Sequence, residues 1–148
     1  MNVLWPLDHV AHIVRNLDQA IEHYTELLVG NLSTNGSSSE IPHFRETLLD
    51  HQVELAFIDL EQSSIELIMP TEGNSSLMRF LDSRGESLHH ICFRVPSVAD
   101  ELRRLAAQGV ELIDTSPRPG ARGTEVAFIH PRSCQGVLIE ICSELSNV

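Results

Sequence analysis

The sequence predicts an α+β protein made of two copies of one module, each a strand, a helix and then three strands. Three observations predict it. Residues 7–30, LDHVAHIVRNLDQAIEHYTELLVG, are echoed by residues 88–109, LHHICFRVPSVADELRRLAAQG. Residues 55–70, LAFIDLEQSSIELIMP, are echoed by residues 126–143, VAFIHPRSCQGVLIEICS. Each copy also opens with a histidine in an apolar strand and closes with one carboxylate inside an apolar run.

The elements follow in order. Residues 7–14 alternate as a strand, and Leu17, Ala20, Ile21, Tyr24, Leu27 and Leu28 have the spacing of one helix face. Asn16 is placed to cap that helix and Gly30 to stop it. The stretch 31–42, with NGSSS at its centre, reads as a polar loop, and it accounts for most of about ten extra residues in the first copy. Strands are expected near 43–49, 53–60 and 64–69, and a short helix near 76–83 in the connection. The second copy repeats the order with a strand at 88–95 and a helix at 97–108, with Val98, Leu102 and Leu105 on its inner face. Gly109 ends that helix, and strands follow near 110–114, 124–130 and 137–142. The whole is expected to be one domain, with module one at about 5–70, a linker at 71–86 and module two at 87–144.

Composition narrows the function. A hydrophobic fraction of 42% with 21% charged residues is ordinary for a globular protein. The formal charge is -11, all ten basic residues are Arg, and they form no cluster. Binding to nucleic acid or to an acidic membrane is therefore not expected. No run approaches the roughly 18–20 apolar residues that span a bilayer, and the start MNVLWPLDHV lacks the features of a signal peptide. Cys92, Cys134 and Cys142 are odd in number and show no CxxC spacing, and two of them sit in apolar strand patterns. That usage fits reduced thiols and a cytoplasmic protein.

Strand alternation decides which polar residues share a face. In the first strand His9, Ala11 and Ile13 oppose Val10, His12 and Val14; in its copy His90, Cys92 and Arg94 oppose His89, Ile91 and Phe93. Aligning the copies pairs His9 with His90. In the closing strands Glu66 opposes Ile65 and Leu67, and Glu140 opposes Ile139 and Ile141. His9, Glu66, His90 and Glu140 thus project from the face opposite the helices. A glutamate buried without a partner is costly, and the same cost at matching points of two copies calls for a common cause. Two imidazoles and two carboxylates suit a divalent metal such as Co, Mn, Ni, Zn or Fe, a choice that nitrogen and oxygen donors leave open. His12 and His89 fall on the core face, where buried histidines with satisfied hydrogen bonds are expected. His130 is expected to make a structural hydrogen bond at a strand end.

These residues carry a resemblance. The chain resembles the vicinal oxygen chelate superfamily of glyoxalase I, extradiol dioxygenases and bleomycin-resistance proteins, and within it the methylmalonyl-CoA epimerases. The matching stretches are LDHVAHIVRNLDQAIEHY at 7–24, VELAFIDLEQSSIELIMP at 53–70, SLHHICFRV at 87–95 and GVELIDTSPRPGARGTEVAFIHPRSCQGVLIEIC at 109–142. The resemblance implies paired βαβββ modules forming a curled mixed sheet around a metal-binding cleft, the glyoxalase-like fold. It places His9, Glu66, His90 and Glu140 on the metal-ligand positions, and it implies a homodimer acting on an acyl-CoA thioester. The implied reaction removes the proton alpha to a metal-chelated thioester carbonyl and passes through an enolate.

By that resemblance Glu140 is one catalytic base and Asp50 the other, in a stretch where the epimerases read PE-Q/H-G-V and this chain reads Leu49-Asp50-His51-Gln52-Val53. Asp is one methylene shorter than Glu, and Gln52 replaces the usual Gly; Glu46 is an alternative source of the carboxylate. Arg118 and Arg122 flank Gly120 in a loop that borders the acyl-CoA in the epimerases, which makes them substrate-binding candidates. Two other readings share parts of this logic. A glyoxalase I-type lactoylglutathione lyase uses the same ligand types, and a binding protein of the bleomycin-resistance type would hold a small molecule without chemistry.

Overall fold

The computed structural model describes residues 4–29 and 41–145. Gly30 and residues 31–40, where the helix stop and most of the polar loop are expected, lie outside the described residues. The chain divides into two compact units, one of Met1–Val10 with His89–Val148 and one of Ala11–Leu88. The boundary between them runs through two strands, β1 (Leu7–Ile13) and β5 (Ser87–Arg94).

The Ala11–Leu88 unit holds the C-terminal part of β1, helix α1 (Leu17–Val29), strands β2 (Phe44–Leu48), β3 (Val53–Asp59) and β4 (Ser64–Pro70), and helix α2 (Ser75–Arg84). Its strand order is β2-β3-β4-β1, with β2-β3 and β3-β4 antiparallel. Asn16 caps α1 as expected, its Oδ1 accepting from Gln19 N at 2.9 Å, which satisfies a donor that the first turn cannot. Val14, Leu17 and Ile21 pack with Ala56, Ile58 and Leu67 into the core of this unit. Leu27 and Leu28, expected on the same face, are instead exposed. Asn74 caps α2 by accepting from Leu77 N at 3.1 Å.

The other unit holds the N-terminal part of β1, most of β5, helix α3 (Val98–Ala107), strands β6 (Arg118–Pro119), β7 (Thr124–Ile129) and β8 (Ile139–Glu144), and two short 3-10 turns at Ala121–Gly123 and Pro131–Ser133. Its order is β1-β5-β8-β7-β6, with β5-β8 parallel and β8-β7-β6 antiparallel. The run β5-β8-β7-β6 repeats β1-β4-β3-β2 of the first unit, so the duplication visible in the sequence is a duplication of topology. Ser97 caps α3 through Asp100 N at 3.2 Å. The helix buries Val98, Leu102 and Leu105 against Ala127, Ile129 and Ile141, the face that its spacing predicts.

One expected strand is absent. Residues 110–114 form no ladder and make only a bridge between Leu112 and Ile129. The cause is Asp114, whose Oδ2 accepts from Phe128 N at 2.8 Å and takes the place that a strand carbonyl would occupy. Ile113 N and Asp114 N both fall on the single acceptor Phe128 O, at 3.0 and 3.2 Å. An acid bonding locally to the backbone competes with the ladder, and pairing to β7 resumes only at Arg118.

Candidate metal centre

Alternation delivers the side chains as the sequence predicts. In β1, His9, Ala11 and Ile13 are buried while Val10 and His12 are partly exposed. His90 and Cys92 are the buried pair in β5, and Glu140 is buried in β8 at 7% exposure. In the Met1–Val10, His89–Val148 unit, His9 Nε2 lies 3.3 Å from His90 Nε2. Glu140 Oε1 lies 3.5 Å from His9 Nε2 and 3.7 Å from His90 Nε2. Cys92 stands opposite Glu140 in the β5-β8 register, and it packs with Val126 and Cys142 in a buried apolar cluster.

Three donors with edges of 3.3, 3.5 and 3.7 Å share a point about 2.0 Å from each, which is the bond length of a first-row divalent ion to nitrogen or oxygen. The set fits chemically too. Two imidazole nitrogens facing each other at this distance cannot both present bare lone pairs, so a proton or a cation must stand between them. Burial alone would favour the neutral acid of Glu140, but the imidazoles of His90 and His9 outweigh it and hold the carboxyl below the usual carboxylate range. Glu140 is therefore an anion at neutral pH.

The Nδ1 atoms turned away from this point are also engaged. His9 Nδ1 is 2.7 Å from Asp8 Oδ1, and Asp8 is in turn bound by Arg94, whose Nη2 donates to Oδ2 at 2.7 Å. Asp8 is lowered to about 2, first by its bond to His9 and then, against the cost of burial, by Arg94. His90 Nδ1 is 2.9 Å from His89 Nδ1, so His89, expected to be buried, is instead half-buried and takes its own neighbour as partner. The His90 ring stands edge-on to Phe128, with centroids 5.2 Å apart, and Phe128 pairs with Glu140 across β7 and β8.

Glu66 lies in the Ala11–Leu88 unit. It is buried at 6% exposure, and it faces Phe57 across β3 and β4, the counterpart of the Glu140–Phe128 pair. Asp50 is exposed in the turn that joins β2 to β3. His51 N and Gln52 N donate to Leu48 O and Leu49 O there, at 3.2 and 3.1 Å. Gln52 has φ +53, the left-handed region that favours glycine, which explains why the resembling pattern carries Gly at this point. Glu46 is half-buried in β2.

Arg118 pairs with Asp114, Nε to Oδ1 at 3.0 Å, and lies over the Phe128 ring at 5.8 Å. Arg122 is exposed, with φ +55 in the turn after Gly120. His12 is half-buried and bonded to the Tyr24 hydroxyl at 2.9 Å. His130 makes a structural bond of the expected kind, its Nδ1 accepting from Arg132 N at 3.1 Å. The residues that sequence reasoning missed are Asp8 and Arg94. The available signal was the Asp-His dipeptide that opens the first copy and has no equivalent in the second, which reads His-His.

Comparison with known proteins places the chain. Residues 8–128 match the family model of the Glyoxalase/Bleomycin resistance protein/Dioxygenase superfamily. The chain is 35% identical over 136 residues to the uncharacterized protein YqjC of Bacillus subtilis, covering 92% of this chain and 90% of that one. It is 31% identical over 137 residues to the ethylmalonyl-CoA/methylmalonyl-CoA epimerase of Cereibacter sphaeroides, covering 91% and 95%. A solved structure of methylmalonyl-CoA epimerase in complex with methylmalonyl-CoA and NH4+ matches with a TM-score of 0.80 at 27% identity, over 97% of each chain. The similarity is thus to an isomerase family, and no described helix is long and apolar enough to cross a membrane. With its α+β, glyoxalase-like fold, the chain belongs to the glyoxalase/bleomycin resistance protein/dioxygenase superfamily.

Proposed function

We propose that this protein is a metal-dependent epimerase of the methylmalonyl-CoA type, inverting the carbon between a thioester and a carboxylate. The observation that carries this reading is the triangle of His9 Nε2, His90 Nε2 and Glu140 Oε1, with edges of 3.3 to 3.7 Å. Glu66 is the fourth ligand in this reading, supported by its burial in an apolar strand and its match to Glu140 in the duplicated register. These four residues would hold a divalent ion, which would supply Lewis acidity to the thioester oxygen.

The chain's own residues do the rest. Glu140 is ionised, so its carboxylate can accept the proton alpha to the carbonyl. Asp50, on the exposed β2-β3 turn, takes up a proton from solvent and delivers it to the opposite face. Arg122 contacts an anionic group of the acyl-CoA, and Arg118 contributes while it shares its guanidinium with Asp114. The protein works as a homodimer in this reading, built as one domain of two tandem modules. Three free cysteines, Cys92, Cys134 and Cys142, support a cytoplasmic location.

The test is exchange. Incubating the purified protein with methylmalonyl-CoA in deuterated water should erase the α-proton signal, and elemental analysis should find about one divalent metal per chain. Thioester absorbance from methylglyoxal and glutathione without that exchange would establish the glyoxalase I-type reading instead. Small-molecule binding with neither reaction would establish the bleomycin-resistance type.

A further inference from the structure

The His9 ring has a partner that the proposed chemistry does not use. Asp8 spends one oxygen on His9 Nδ1 at 2.7 Å, and its other oxygen accepts from Arg94 Nε at 3.0 Å and Nη2 at 2.7 Å. Arg94 N also donates to Pro6 O at 2.9 Å, which ties β5 to the chain just ahead of Asp8. Asp8, His9 and Cys92 bring donor atoms within 4.8 Å of one another, yet they make a poor second cation site. Both Asp8 oxygens are committed. The Cys92 thiol, bonded to Cys142 and buried, is pushed far up and stays protonated, whereas a metal needs the thiolate.

A carboxylate can only accept, so the hydrogen of a neutral His9 sits on Nδ1 and its lone pair on Nε2. That atom is the one facing His90 Nε2 and Glu140 Oε1. Behind His90, Nδ1 instead meets the ring nitrogen of His89 at 2.9 Å. We propose that Asp8, clamped by Arg94, is a positioning residue that fixes the tautomer and ring plane of His9 and makes it the stronger imidazole donor of the centre. This inference rests on the metal centre proposed above. A carboxylate behind a ligating histidine raises its basicity, and losing such a partner weakens metal affinity by roughly 10- to 100-fold.

The experiment is chelator competition with Co(II) on the full chain, together with the Co(II) absorption spectrum. Asp8→Asn keeps an acceptor but loses the charge; it should bind Co(II) about 10- to 100-fold more weakly and shift the spectrum, with Asp8→Glu recovering part of both. Arg94→Gln leaves the carboxylate in place and loosens it, so a smaller loss in the same direction is expected; it also serves as the readout if Asp8→Asn fails to fold. Wild-type affinity and spectrum in Asp8→Asn, or in Arg94→Gln where Asp8→Asn does not fold, alongside loss of Co(II) in His9→Ala, would overturn the positioning role and leave the proposed metal centre standing. A wild-type chain that binds no Co(II) would overturn both.

Discussion

Asp8 also makes a prediction about stability that can be worked through in the metal-free protein. Its carboxyl falls from an ordinary 3.8 to about 2 because His9 and Arg94 bind the anion more strongly than burial disfavours it. A carboxyl lowered that far contributes about 2 kcal/mol of folding stability. The carboxyl is 20% exposed, so solvent screening does not remove most of that figure.

The sign follows from proton uptake. Above pH 3.8 the group is ionised in both states and the full contribution is present. As the pH falls toward 2 the unfolded chain binds a proton that the folded chain resists, and the contribution is lost. Urea unfolding with chelator present, at intervals from pH 7 to pH 2.5, should show Asp8→Asn less stable at pH 7 by about 2 kcal/mol. That is a midpoint shift of about 1 M at an ordinary urea slope. The gap should narrow below pH 4 and fall to about a third of its neutral-pH size by pH 2.5. A gap of equal size at pH 7 and pH 2.5 would show that the substitution acts by packing and not by the charge on Asp8.

The remaining predictions concern other parts of the molecule. Asp50→Asn should retain metal by elemental analysis and lose deuterium exchange from only one enantiomer of the substrate; if both enantiomers still exchange normally and Glu46→Gln removes one instead, Glu46 is the second base. His12 is held below 6.5 mainly by burial, so unfolding takes up protons as the pH falls beneath that value; Tm should drop from pH 7 to pH 5 less steeply in His12→Gln than in the wild type. Ile141 is fully buried in the core beneath α3, and Ile141→Ala should cost about 2–5 kcal/mol in urea unfolding. Exposed Val137→Ser should stay within about 0.5 kcal/mol of wild type.

Most of what depends on a period of two or 3.6 was legible in the sequence, although helix spacing put Leu27 and Leu28 on an inner face and both are exposed. The repeated topology, the inner face of α3 and the burial of His9, Glu66, His90 and Glu140 all follow from alternation and helix spacing. The missing strand at 110–114 was not legible, because its apolar pattern is right and only the hydrogen bond from Phe128 N to the Asp114 side chain breaks the ladder. Likewise the pairing of Arg118 with Asp114 cannot be read from a Pro- and Gly-rich loop, where no period constrains direction.

The partners of the histidines were hidden for a more particular reason. Alternation sends residue 8 to the face opposite residue 9, and residue 89 to the face opposite residue 90, so neighbours in a strand are dismissed as partners. An imidazole defeats the rule because its two nitrogens lie on opposite edges of the ring. While Nε2 reaches into the buried face, Nδ1 stays near the backbone, within 2.7 Å of Asp8 in one case and 2.9 Å of His89 in the other. The duplication therefore copies the donors that point inward but need not copy what stands behind them. One copy places a carboxylate anchored by Arg94 there and the other the ring of His89. A pseudo-symmetric histidine pair with unequal backing is electronically one-sided, and in the proposed epimerase that asymmetry would orient a substrate whose two oxygens are themselves unequal.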